Sequence, residues 1–176
     1  MTHDNKAILE TIKEQEVDAL YEKKKHFNAA DRKQKYNLQL GLPVVIINTI
    51  VGSIIFLALG NIFPNWVTWI AAFLALFSAI LAGIQTFFNF PIQITGHRDT
   101  AAKYLALGKE YKRLRAGYND NLHELKAVYD KLEQFSKKHE QINKDGSAFS
   151  TNYADYQKAH DSFQEEESYT EAEKSG

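Results

Sequence analysis

The sequence predicts an all-α membrane protein, a two-helix transmembrane hairpin flanked by long, coiled-coil-like cytoplasmic helices with both termini in the cytoplasm. Three observations predict it. The 62 residues from Tyr36 to His97 contain no Asp, Glu, Lys or Arg, although these make up 24 % of the chain. Basic residues crowd both edges of that run and are missing from its middle. Beyond it, apolar residues return at alternating steps of three and four. The averages conceal this division, since a mean hydropathy of −0.39 and a pI near 6.6 would describe an ordinary soluble domain.

Residues 1–39 read as an N-terminal amphipathic helix. From Asp4 to about Lys35 the chain is rich in Ala, Lys, Glu and Gln and has no Gly or Pro. Ile8, Ile12, Val17, Leu20, Tyr21, Lys24 and Phe27 form a narrow stripe, enough for one contact face. Lys23, Lys24, Lys25, Arg32, Lys33 and Lys35 gather at its end. Anionic lipid head groups are their nearer target, at about 1 kcal/mol per residue, and a solvated face that only sets topology is the other reading. Without interleaved aromatics they do not point to nucleic acid.

Residues 40–90 form the hairpin. Two apolar blocks, 42–59 and 66–88, reach about 27 and 35 Å as helices, near the ~30 Å thickness of hydrocarbon. Both are apolar all round, which a helix of a soluble bundle is not. The residues between them, Gly60 to Asn65, are turn formers, and Pro64 suits the first turn of the second helix. The first block starts some 40 residues in with no small-residue cleavage site after it, so it reads as a retained anchor. Six Lys or Arg precede the hairpin closely, six lie between Arg98 and Arg115, and the loop has none. The positive-inside rule then puts both termini in the cytoplasm. Trp66 and Trp69 fit an aromatic belt.

Polar residues inside the spans are the candidate functional residues. Asn48, Thr49, Gly52 and Ser53 fall within an arc of about 140°, and Gln85 and Thr86 lie near the end of the second span. Asn48 fits an interhelical hydrogen bond and the lining of an aqueous path equally well. Ala71, Ala75, Ala79 and Gly83 recur every fourth residue, a small-residue seam for close helix packing. Pro91 is expected to kink or break the helix, with helix resuming by Arg98.

Residues 91–143 carry the heptad: Tyr104, Leu107, Tyr111, Leu114, Tyr118, Asn121, Leu125, Val128, Leu132, Phe135, His139 and Ile142. It reads as one long helix with Leu107, Leu114, Leu125, Val128, Leu132 and Phe135 as its apolar seam. Either the first helix or another copy of the chain can cover that seam. Residues 144–176 carry six acids against one Lys from Asp161 on. They read as an acidic, flexible tail, with at most a short helix over 152–164 and a role as a docking tail for a partner.

Catalytic and cofactor signatures are missing. There is no cysteine, hence no thiol nucleophile or disulfide. The six histidines show no metal-ligand spacing, and no glycine-rich loop follows a strand. No enzyme, metal or cofactor is expected. His97 reads as a solvated or packed residue, or as a pH- or head-group-sensing one.

The run from Gly83 to Arg115, GIQTFFNFPIQITGHRDTAAKYLALGKEYKRLR, together with HFNAADRKQKYNLQLGL upstream, resembles the SLATT family of two-transmembrane proteins of bacterial conflict systems. Gln85, Thr86, Phe87, Asn89, Phe90, His97, Ala101, Ala102, Tyr104 and Arg113 carry the likeness, which extends from about residue 10 to about residue 140. Pro91 departs from it, where relatives commonly have a polar or acidic residue. The resemblance implies an inner-membrane antiviral effector that forms pores as a homo-oligomer, held inactive until a cytosolic sensor or a nucleotide second messenger reports infection. A membrane scaffold that recruits a cytosolic enzyme through its heptad helix and tail is the alternative.

Overall fold

The computed structural model describes residues 3–58, 60, 64–119 and 124–174, with side chains from 7 to 163. The described residues contain five helices and no strand: α1 (His3–Ala58), α2 (Asn65–Phe88), α3 (Phe90–Asn119), α4 (Leu125–Gly146) and α5 (Tyr153–Lys174). They fall into two units, one of residues 31–94 and one made of the chain up to residue 30 and from 95 on.

In the 31–94 unit, the chain from Asp31 to Ala58 is helical throughout, so the amphipathic helix and the first span are parts of one 56-residue element. Pro43 lies inside it. Proline removes one backbone donor and crowds the carbonyl four residues back, but an apolar helix with a neighbour tolerates this better than an isolated one. α2 starts after Pro64, whose carbonyl accepts from the Val67 amide at 3.0 Å. It ends where Asn89 adopts a left-handed conformation, φ 46° and ψ 49°, with its N–H bonded to the Thr86 carbonyl. Asn tolerates this region better than other side chains. The expected break is therefore at Asn89, and helix resumes at once with Phe90, well before Arg98. Pro91 falls in the first turn of α3, where its missing N–H has no intrahelical partner to lose. The Gln93 side chain reaches back to the Phe88 carbonyl at 2.6 Å and satisfies one of the open acceptors of the α2 terminus.

The other unit packs four helical segments. Tyr111 meets Phe135 with ring centroids 5.4 Å apart, Lys138 bonds Glu110 at 2.7 Å, and Tyr104 meets His139 at 5.7 Å and hydrogen-bonds Asn143. Numbers fall along α4 as they rise along α3, so the two are antiparallel. The long heptad helix is thus two helices: α3 ends at Asn119 and α4 begins at Leu125. Residues 120–123, Asn121 of the heptad among them, lie outside the described residues. α1 also runs antiparallel to α3, pairing Glu16 with Arg115 and His26 with His97. The core consists of Ile8, Ile12, Ala19, Tyr104, Leu107, Tyr111, Leu114, Val128 and Ile142, with Leu132 and Phe135 packed against it. Each fully buried Leu or Ile contributes about 1.5–3 kcal/mol. Along α1 the inward line passes through Ile8, Ile12, Glu16, Ala19, His26 and Ala30, and Val17 turns outward at 40 % exposure.

Where at most a short helix over 152–164 was expected, α5 runs from Tyr153 to Lys174. Asn152 and Asp155 cap it reciprocally, with the Asn152 N–H on the Asp155 carboxylate at 2.9 Å and the Asp155 N–H on the Asn152 amide oxygen at 3.0 Å. It lies antiparallel along α1. Tyr21 packs on Tyr156 and Phe163 at 5.4 and 5.3 Å, and Lys24 sits 4.2 Å above the Phe163 ring and donates to the Ser162 carbonyl. The Asn28 amide donates to the Asp155 carbonyl.

Candidate functional site

Asn48 and Ser78 join the two apolar helices. The Ser78 hydroxyl donates to Asn48 Oδ1 at 2.8 Å; Ser78 is 1 % exposed, whereas Asn48 remains open on its outer side. Next to Asn48, Thr49 donates to the Val45 carbonyl at 2.8 Å, and one turn on Ser53 donates to the Thr49 carbonyl at 2.9 Å. Thr86 does the same to Ala82 at 3.0 Å. These three hydroxyls are satisfied by their own helices and lie on the exposed surface. Gln85 turns inward instead, its amide donating to Asn37 Oδ1 at 2.6 Å. Gly41 permits this, because a Cβ there would lie 2.9 Å from the Gln85 amide nitrogen. Asn37, Ala82, Gln85, Thr86, Asn89 and Pro91 line a groove of about 410 Å³.

The seam of small residues is shorter than its spacing implies. Ala71 is buried and Ala75 half-buried, but Ala79 and Gly83 are exposed, and a Cβ at Gly83 would meet nothing within 4 Å. A four-residue step advances about 40° beyond a full turn, so such a series winds off the contact face. The line that stays on α1 alternates steps through Ala71, Ala75, Ser78, Ala82 and Gln85.

In the other unit Leu107, Leu114 and Val128 of the heptad seam are buried, Leu132 and Phe135 half-buried, and Leu125 is 42 % exposed. His97 is 1 % exposed and His26 5 %, with Nδ1 atoms 3.0 Å apart. The Phe149 ring lies 5.8 Å from His97, and it packs so closely that a Cβ on Gly96 would come within 2.1 Å of it. Burial lowers the His26 pKa; Lys25 adds to the effect, and Glu22 and Asp155 oppose it. Burial also pushes the Tyr104 hydroxyl up to about 12.

Sequence reasoning missed Glu16, His26 and Arg115. Arg115 grips Glu16 through two bonds, 2.7 and 3.3 Å, which lets a carboxylate occupy an inward position. A polar residue on an otherwise apolar line was the only signal. The basic cluster is partly engaged within the chain: Lys25 pairs with Glu22 at 2.6 Å, Lys33 bonds Gln93, and Arg32 lies 6.0 Å from the Tyr36 ring centroid. A groove of about 560 Å³ between α1 and α4 is lined by Asp18, Glu22 and Glu140 with His139 and Tyr21, an arrangement that repels phosphate. Among the described residues no three His, Cys, Asp or Glu are grouped to hold a metal ion.

Both apolar helices are long enough to cross a membrane. The model of one protein family, SMODS and SLOG-associating 2TM effector domain family 4, matches residues 8–175. No curated protein and no solved structure matches the chain.

Proposed function

Because the chain belongs to the SLATT family of SMODS and SLOG-associating two-transmembrane effector domains, we propose that it is a membrane-permeabilising effector of a bacterial antiphage system. It sits in the inner membrane with both termini in the cytoplasm and opens the bilayer as a homo-oligomer when a sensor protein or nucleotide signal releases it. The observation that supports this most is the outward position of Asn48, Thr49, Ser53 and Thr86 on helices otherwise apolar. Two helices cannot enclose water. Several hairpins with these groups turned inward line a path of amides and hydroxyls, polar enough to wet and too neutral to select strongly by charge.

The basic residues at both inner edges set the orientation and meet anionic head groups. The acidic lining of the groove between α1 and α4 disfavours a phosphate ligand there, which supports a nucleotide signal that reaches this chain through a partner protein. The scaffold alternative is weakened because the heptad seam is covered inside the chain's own unit.

Expression with the neighbouring genes in phage-challenged cells should depolarise the membrane within one infection cycle, read with a potential-sensitive dye. Purified protein should release dye from liposomes, and Asn48→Leu, at equal insertion, should slow release. Full membrane potential during infection, and no leakage from inserted oligomer, would reject the proposal.

A further inference from the structure

We infer that, in the closed assembly that precedes the wetted path, the polar arc of α1 is an interface for a second copy of the same chain, held by Asn48; this rests on the hairpin's lying in a membrane as proposed above. Asn48 spends one lone pair of Oδ1 on the Ser78 hydroxyl. A second lone pair and both amide hydrogens remain. Among the described residues those hydrogens meet no acceptor, and the side chain is exposed. Lipid tails neither donate nor accept, so an open amide within the hydrocarbon is strongly unfavourable until something pairs with it.

The arc itself says what pairs with it. All copies of a chain insert with the same topology, so residue 48 of one copy lies at the depth of residue 48 of the next. An asparagine is donor and acceptor at once, and two facing Asn48 side chains satisfy each other. Thr49 and Ser53 have given their protons to α1 carbonyls, so they offer only acceptor lone pairs outward. The donors at Asn48 and these acceptors make the surface complementary to itself. Gly52 lies about 40° from Asn48 around the helix, and a Cβ there would meet nothing within 4 Å, which leaves bare backbone for close approach. The far side of α1, with Ile46, Ile50 and Leu57 exposed at 51, 48 and 39 %, is wholly apolar and suits lipid.

The chain has no cysteine, so single cysteines report cleanly. Gly52→Cys and Ile50→Cys are oxidised with copper phenanthroline in membranes of the expressing cell, without detergent. A disulfide dimer is expected at position 52, at least ten times more than at 50. Asn48→Leu in the Gly52→Cys background lowers the yield about three- to thirty-fold, and Asn48→Gln restores it. Ser78→Ala, which removes only the bond inside the hairpin, leaves the yield unchanged. Equal yields at 50 and 52, no dimer from inserted Gly52→Cys protein, or a product whose added mass differs from the chain's 20.1 kDa would overturn the inference. Crosslinking reads contact and leakage reads conduction. A dimer without leakage therefore refutes the pore and leaves the interface, and leakage without a dimer at 52 does the reverse.

Discussion

His26 and His97 meet Nδ1 to Nδ1 at 3.0 Å in the interior of the four-helix unit, both almost wholly buried. Two neutral imidazoles form one hydrogen bond there only if one Nδ1 carries the proton and the other does not. Full protonation would set two donors and two positive charges against each other. Glu22 and Lys25 of α1 and Asp155 of α5 are the charges acting on His26, with the Tyr104 ring of α3 5.8 Å away.

The sign of the pH dependence follows. The folded-state pKa of His26 is lowered, chiefly by burial, so the unfolded chain binds its proton first as pH falls. Stability from this pair is complete above the unfolded value of about 6.5 and is lost as pH falls through the lowered folded value. Melting curves in nanodiscs between pH 8 and 5 should show Tm dropping below about 6.5, and His26→Gln should flatten that drop. A slope unchanged by His26→Gln would place the effect elsewhere.

Two leucines of the heptad should behave oppositely. Leu107 is fully buried, so Leu107→Ala should cost about 2–5 kcal/mol in denaturant titrations. Leu125 is 42 % exposed and opens α4, so Leu125→Asp should stay within about 0.5 kcal/mol, helped by the helix dipole.

Gly96 and Phe149 should be coupled. A methyl at 96 would overlap the ring, so Gly96→Ala should cost about 1–3 kcal/mol. In a Phe149→Ala background the same change should cost little, and a double-mutant cycle measures the difference. Additive costs would mean that the ring moves freely.

α5 depends on its cap. Asn152→Ala removes one half of the reciprocal bond with Asp155 and should cost about 1 kcal/mol. Hydrogen exchange over residues 153–163 should rise more than over α3. Uniform change would make α5 part of the global unfolding unit.

The two long apolar helices were legible because 62 residues without a charge leave neither block a charged face. The heptad misled because three-four spacing carries no direction and passes unbroken through a reversal. The turn formers Gly117-Tyr118-Asn119-Asp120-Asn121 were the better guide. α5 hid behind its composition, although Asn152 and Asp155 have capping-box spacing. Of the small-residue seam only Ala71 and Ala75 meet α1, as a step of four leaves that face within three turns. His26 and His97, 71 residues apart, have no local signature at all.

The pairings of α1 also bear on how the chain comes off the ribosome. Glu16 waits for Arg115 across 99 residues, Gln15 for Tyr111 across 96, and His26 for His97 across 71. At 5–20 residues per second, the first of these is an interval of roughly 5 to 20 s. Throughout it the start of α1 has no tertiary partner, while the more local α3–α4 hairpin needs only the residues just made. A narrow inward line broken by Glu16 and His26 suits that interval, since it gives a lone nascent helix little apolar surface with which to aggregate.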